Sequence, residues 1–331
     1  MKNLLLCIFT ITFLVACGGS STDDKPLTEK PEPEVPVVPV DPEEPVNPEE
    51  PVNPEEPVEP EEPLDPAKIH DNVPNVDYKN TPGIIDYIDF DHRQNGTYTS
   101  AMLNTDFNNE WGHIHNKAEA NILDKNGSKQ LAVTHPKDEF YQGISSGKNL
   151  NEHNELYFSY QIIFGKNYDF SMGGKLPGLA GLNPDIKNKP DACNTVGKDD
   201  GFSLRSMFRE NGRAIGYFYH QDKTNKCGDE IDYQHEGKNF SFKREKTYLI
   251  EQYVKINNAN QKNGIVTIYV NGFKVLEKTD MTFSENGKYA INYQYFQLWH
   301  GGNSNDWAVD RDSTAYLDHV VLSTKPISYS K

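Results

Sequence analysis

The chain has 331 residues and a formal net charge of −16, from 49 Asp plus Glu against 33 Lys plus Arg. That charge is uneven: residues 20–66 carry 16 acidic side chains and two lysines, which leaves −3 over residues 67–331. A near-neutral remainder offers no broad basic field for nucleic acid, so a polyanionic ligand needs a local basic cleft.

In chain order, Lys2 and the apolar run Leu4–Val15 read as a secretory signal over residues 1–16, too short to span a bilayer as a helix. Leu14-Val15-Ala16-Cys17 resembles a bacterial lipobox. That implies cleavage before Cys17, lipidation of its thiol, and anchoring to the outer membrane of a Gram-negative cell, on the surface or on the periplasmic face. Gly18 rather than Asp follows, so retention at the inner membrane is not suggested. Residues 17–70 read as the lipidated cysteine plus a tether. Fourteen of the 21 prolines lie between Ser20 and Pro66, with a six-residue repeat in Pro42-Glu43-Glu44-Pro45-Val46-Asn47 and Pro48-Glu49-Glu50-Pro51-Val52-Asn53. Such a segment buries almost nothing and its carboxylates repel, so an extended spacer near polyproline II geometry is expected.

Residues 71–331 read as one folded, monomeric domain. Leu156–Phe164 alternates, with Phe158, Tyr160, Ile162 and Phe164 on one side. Ile265–Val270 and Phe273–Leu276 flank Asn271-Gly272, a hairpin signal. Lys125-Asn126-Gly127 and Glu285-Asn286-Gly287 read as turns, and Tyr316–Leu322 as a final strand. With no sustained helical period, the pattern predicts an all-β, two-sheet β-jelly roll sandwich with a concave substrate cleft. Of the four cysteines, Cys7 leaves with the signal and Cys17 takes the lipid. Cys193 and Cys227 remain to pair in an oxidising setting, closing a loop worth ~3–4 kcal/mol. No cofactor or metal is expected: Asp199-Asp200 and Asp310-x-Asp312 read as solvated loops, and no zinc spacing occurs.

Phe202–His220 carries chemistry. Phe202, Leu204 and Phe208 fall on one side of a strand; Ser203, Arg205, Met207 and Arg209 fall on the other. Glu210-Asn211-Gly212 fits a type I turn with a bulge at a left-handed Gly212. That loop sets Arg209 opposite Arg213, Arg205 opposite Tyr217 and Ser203 opposite Tyr219, gathering Ser203, Arg205, Tyr217 and Tyr219 on one face.

Upstream lies Gly173-Gly174-Lys175-Leu176-Pro177-Gly178. With it the chain resembles polysaccharide lyase family 14, the jelly-roll alginate and glucuronan lyases, over about residues 86–323. The resemblance runs through Leu156–Tyr160, Gly173–Leu179, Ser203–Arg209, Tyr217-Phe218-Tyr219, Tyr253–Asn257 and Trp299-His300-Gly301-Gly302 leading to Trp307-Ala308. It implies catalytic roles for Lys175, Ser203, Arg205, Tyr217 and Tyr219, acting on an acidic polysaccharide. Asn183–Asp200, with Cys193, reads as an insertion between lysine and serine. Trp299-His300 stands where the family shows an aromatic pair. Trp299, His300 and Arg209 are the expected substrate-binding residues; His135, His220 and His235 read as surface or turn histidines.

The expected reaction is β-elimination. Lys175 and Arg205 neutralise the uronate carboxylate, one of Tyr217 and Tyr219 takes the C5 proton, and the other protonates O4; Lys175 is an alternative base. A free phenol titrates at ~10, so a cation beside it is needed to favour phenolate. Two rivals stand beside this. One is a carbohydrate-binding lipoprotein without turnover. The other is a glycoside hydrolase using carboxylates such as Glu236, Glu251 or Asp318, which form no recognisable pair.

Overall fold

The computed structural model describes residues 65–327, apart from 110, 116, 126, 184–189, 191, 192 and 194–199. The signal, the lipidation site Cys17, the repeats of the tether and the Asp199 half of Asp199-Asp200 lie outside the described residues.

Eighteen strands, one short α-helix and three single-turn 3-10 helices are described. They begin with β1 (Ile84–Ile88), β2 (Gly96–Thr97), α1 (Ser100–Asp106), β3 (His113–His115), β4 (Glu119–Lys125), β5 (Ser128–His135), β6 (Gln142–His153) and β7 (Glu155–Phe164). The middle of the chain gives β8 (Gly174–Leu182), β9 (Gly201–Phe208), β10 (Ala214–Tyr219), β11 (Asp229–Asp232), β12 (Gln234–His235) and β13 (Lys238–Asn239). The last are β14 (Thr247–Lys255), β15 (Gly264–Val270), β16 (Phe273–Met281), β17 (Ile291–His300) and β18 (Ser313–Ser323). Sheet A has nine strands, ordered β16-β15-β14-β7-β18-β5-β4-β2 with β1 also on β18; sheet B has seven, ordered β11-β10-β9-β8-β17-β6-β3. All named pairings are antiparallel.

This is the expected all-β jelly roll, and its core lies between the two sheets. Phe158, Tyr160, Ile162 and Phe164 of β7 are all buried there, as their alternation required. Leu176, Leu179, Phe202, Leu204, Phe208, Phe296 and Leu298 come from sheet B. Phe164 meets Phe208 edge-on at 5.4 Å, which ties the sheets together. Each such side chain contributes about 1.5–3 kcal/mol on burial. The β15–β16 hairpin turns at Asn271 (φ 50°) and Gly272 (φ 82°), the paired left-handed conformation that Asn-Gly tolerates.

Two features depart from the sequence reading. Ile69, placed in the tether, is buried in the core, and Asn271 Nδ2 donates to its carbonyl at 2.8 Å. The packed domain therefore includes residues before 71. Helix α1 was not foreseen; it is capped by Thr99, which accepts from the Met102 N–H at 3.3 Å, and is followed by Phe107 stacked on Phe296 at 4.1 Å.

Candidate active site

The face of sheet B turned away from the core carries the chemistry-bearing residues. The hairpin register is the expected one: Tyr217 lies opposite Arg205 and Tyr219 opposite Ser203. The turn differs in detail, since Asn211 itself is left-handed (φ 56°) along with Gly212 (φ 78°), yet the Arg209 N–H still bonds the Arg213 carbonyl at 2.8 Å. Asn tolerates the left-handed region because its short side chain bonds locally, so the register survives a different turn.

Lys175 reaches the same face from β8, paired with Met207 on one side and Trp299 on the other. Both ladders are irregular between Lys175 and Gly178: β8 has one residue more than β9 there, at Leu176-Pro177, and β17 one more than β8. Pro177 has no N–H to give the ladder, so a bulge is where it fits. Gly178 then pairs with both Arg205 and Tyr295. Its backbone is pressed so close that a Cβ would stand 2.0 Å from the Leu204 carbonyl oxygen. With no side chain at Gly178, the Arg205 guanidinium crosses β8. It lies 4.9 Å from the Tyr295 ring centroid, and its Nη1 donates to Gln297 Oε1 at 3.0 Å.

Arg205 is 1% exposed, and its Nε and Nη2 have no hydrogen-bond partner. Among the described residues no carboxylate pairs with it. Tyr217 and Tyr219 stand within 6.0 Å and 5.9 Å of the guanidinium, and their hydroxyl oxygens are 3.4 Å apart. Burial pushes the Tyr219 phenol well above its usual range, and its bond with Tyr217 adds to this. The Cys193 N–H, which donates to it at 2.8 Å, and Arg205 pull the other way. Ser203 donates to the Pro190 carbonyl at 2.6 Å. The expected Cys193–Cys227 disulfide is formed, and Cys227 packs against Met207, Ile215, Tyr217 and Tyr219. Ser203 and Tyr219 are thus fully covered. This face is not the half-solvated one that alternation alone suggests.

The three expected substrate-binding residues fare differently. Trp299 is on the active face, edge-on to His115 (4.5 Å) and Tyr141 (4.7 Å). Its neighbour His300 is a correction: strict alternation along β17 turns it into the inter-sheet core. There its Nε2 bonds the Asp169 carbonyl at 2.9 Å and burial lowers its pKa to about 4. Arg209 sits at the end of β9 in an ion pair with Glu230, which Arg213 also contacts, and over Trp307. Its charge is already answered within the protein. His135 is a second correction, buried beside His300 rather than at the surface.

Sequence reasoning missed Tyr293, Tyr295 and Gln297, although the period of β17 puts them beside Trp299. It also missed β3, whose His113 and His115 are adjacent at 3.5 Å and lie across from Ser145 and Gly143. Burial first, and His113 second, lower His115 to about 4. Trp111 (40% exposed) and Tyr141 (51% exposed) offer open aromatic surface at this end. Of the hydrolase candidates, Glu251 and Asp318 are buried in sheet A and Glu236 is exposed in the β12–β13 turn, so none shares the face of Arg205. Among the described residues no group of three or more His, Cys, Asp or Glu is placed to hold a metal ion.

The class is that of the two-sheet jelly-roll β-sandwiches, here with a buried cation, two phenols and a lysine on one face. A sequence model of the family Polysaccharide lyase 14 matches residues 117–320, and the chain belongs to that family. The chain is 26% identical over 175 residues to Exolysin of Paramecium bursaria Chlorella virus 1, which covers 46% of this chain and 26% of the viral protein. It therefore spans about a quarter of the length of that curated relative. Among solved structures, alginate lyase Aly36B is similar, with 24% identity and TM-score 0.61 over 73% of this chain and 98% of that one. So is alginate lyase vAL-1 from Chlorella virus, with 18% identity and TM-score 0.58 over 73% and 100%. These likenesses support the fold.

Proposed function

We propose that the protein cleaves a uronic-acid polymer, of alginate or glucuronan type, by β-elimination. The observation that carries the reading is Arg205: a buried guanidinium with two unpartnered N–H edges and no carboxylate partner among the described residues. An unpaired buried charge costs several kcal/mol, and a sugar carboxylate supplies the missing partner. The family assignment supports polysaccharide lyase activity, and a variant of Aly36B was solved with alginate tetrasaccharide.

In this reading Arg205 and Lys175 hold the carboxylate of the uronate and stabilise the enolate-like charge as the C5 proton leaves. The C5–H electrons form the C4–C5 double bond, the C4–O4 bond breaks, and O4 takes a proton. Tyr219, whose burial keeps its proton on, suits the acid; Tyr217 or Lys175 takes the C5 proton. Ser203 orients substrate once its bond to Pro190 is exchanged for one to sugar. Trp299, Tyr141 and Trp111 pack against sugar faces. The lipobox-like Cys17 and the proline-rich tether support an enzyme anchored by lipid to the outer membrane and held out from it.

The covering of Ser203 and Tyr219 favours one other reading, a carbohydrate-binding protein without turnover. A panel of uronate polymers separates these readings. A lyase generates the ultraviolet absorbance of a 4,5-unsaturated uronate, a hydrolase only new reducing ends, a binder neither. Full activity in both Lys175→Ala and Tyr219→Phe would sink the assignment of roles.

A further inference from the structure

Arg205 must be held in one place while its charge stays available, and those two demands conflict. A carboxylate would hold a guanidinium most firmly but would cancel its charge. The side chain that holds it here is neutral. Gln297 accepts from Arg205 Nη1 at 3.0 Å, and its own Nε2 donates to Ser145 Oγ at 2.9 Å. The amide can stand only one way round. A guanidinium has donors and no acceptor, so Oε1 must face Arg205 and the NH₂ must face the serine. Gln297, Arg205 and Ser145 are all buried, at 9%, 1% and 8% exposed, so the chain of contacts is largely sheltered from exchange with water. It spans four consecutive strands, since Gln297 on β17 lies opposite Ser145 on β6 and Arg205 reaches across β8 from β9.

We propose that Gln297, fixed by Ser145, is the positioning residue for Arg205: it aims the guanidinium's Nε and Nη2 edges at the substrate carboxylate and, being neutral, leaves the positive charge for that carboxylate. The inference rests on the reading of Arg205 as the carboxylate-binding cation. Tyr295 completes the seat by offering its ring face, again without a negative charge.

Gln297→Glu is the decisive variant, because glutamate preserves the geometry and removes the neutrality. Its carboxylate accepts from Arg205 and from the Ser145 hydroxyl, so the fold and its melting temperature are kept or improved. The uronate carboxylate then meets a cation already paired. The expected result is a loss in kcat/KM on the order of 100-fold, the scale for removing one charge-stabilising donor, with weaker binding of alginate oligosaccharide by calorimetry. Gln297→Leu, similar in size but without an acceptor, is expected to lower kcat about tenfold or more by releasing Arg205, with a smaller change in KM. A Glu variant with parental kcat/KM and parental oligosaccharide affinity overturns the proposal, because a purely structural glutamine is replaceable by glutamate. Should the Leu variant not fold, the Glu variant decides alone. If the parent makes no unsaturated product on any uronate polymer, the lyase reading fails, and the binding comparison between parent and Gln297→Glu still decides the role of Gln297.

Discussion

Asp318 gives a test in which stability and activity are expected to part company. Its side chain is 2% exposed on sheet A, where Ser128 Oγ donates to Oδ2 at 2.7 Å and the His319 N–H donates to Oδ1 at 2.8 Å. Burial raises its pKa from 3.8 to about 7 against the pull of those two bonds, with Asp91 and Asp89 adding to the rise. His319 Nε2 stands 3.7 Å from Oδ2. The native state therefore keeps the proton up to about pH 7, whereas the unfolded chain releases it near 3.8. Across that window the native state binds more protons, so the parent loses stability as pH rises from about 4 to about 7 and is level in this respect above it. Three units correspond to roughly 4 kcal/mol. Asp318→Asn does not titrate but forfeits one acceptor, at about 1 kcal/mol. The variant should be slightly less stable than the parent at pH 3.5 and on the order of 3 kcal/mol more stable at pH 8, read by urea unfolding at both values. Its kcat/KM should be unchanged, because Asp318 belongs to the sheet that does not carry Arg205. A stability difference that does not move with pH refutes the burial argument, and loss of turnover would return Asp318 to the chemistry.

Arg205→Lys replaces a planar fork by a point charge that cannot bond Gln297 and lie over Tyr295 together; kcat/KM should fall on the order of 100-fold, with little change in melting temperature. Parental kinetics would remove Arg205 from the site. Cys227→Ser opens a loop of 34 residues and should cost ~3–4 kcal/mol in denaturant unfolding; an unshifted midpoint would mean that the clasp is redundant with packing. Gly178→Ala drives a Cβ to 2.0 Å from the Leu204 carbonyl oxygen and 2.8 Å from Arg205 Cα. It should destabilise by about 1–3 kcal/mol and depress turnover together, and a variant with parental stability and turnover would show that β8 and β9 part easily.

The fold was legible because its signals are local. Alternation along β7 marks the core face, and Asn271-Gly272 admits only a tight hairpin. The pairing of Tyr217 with Arg205 was legible too, because a short loop fixes register even though Asn211 turned left-handed where a right-handed residue was expected. What escaped was everything that depends on strands distant in sequence. Gln297 meets Arg205 across a separation of 92 residues, over a glycine whose lack of a side chain is what opens the path. His300 was misjudged by reading a dipeptide as a unit, when alternate residues of one strand face opposite ways. The contacts of Ser203 with Pro190 and of Tyr219 with Cys193 were out of reach because composition does not say which residues of an insertion meet a given strand.

These contacts also bear on which phenol is the acid. Tyr219 is the more deeply enclosed, receives the Cys193 N–H, and is pushed upward by burial and by its bond with Tyr217. A phenol held protonated through the neutral range is a poor base and a suitable donor to a departing oxygen. A leaving group that needs no proton separates these roles. On a uronate carrying fluoride at C4, loss of the C5 proton expels fluoride unaided. Tyr219→Phe should therefore lose on the order of 100-fold or more on polymer, within the usual range for a general acid, yet approach the parent on the fluoride. An equal fractional loss on both substrates would mean that Tyr219 acts on the C5 proton or on the architecture, and the acid would have to be sought in Tyr217.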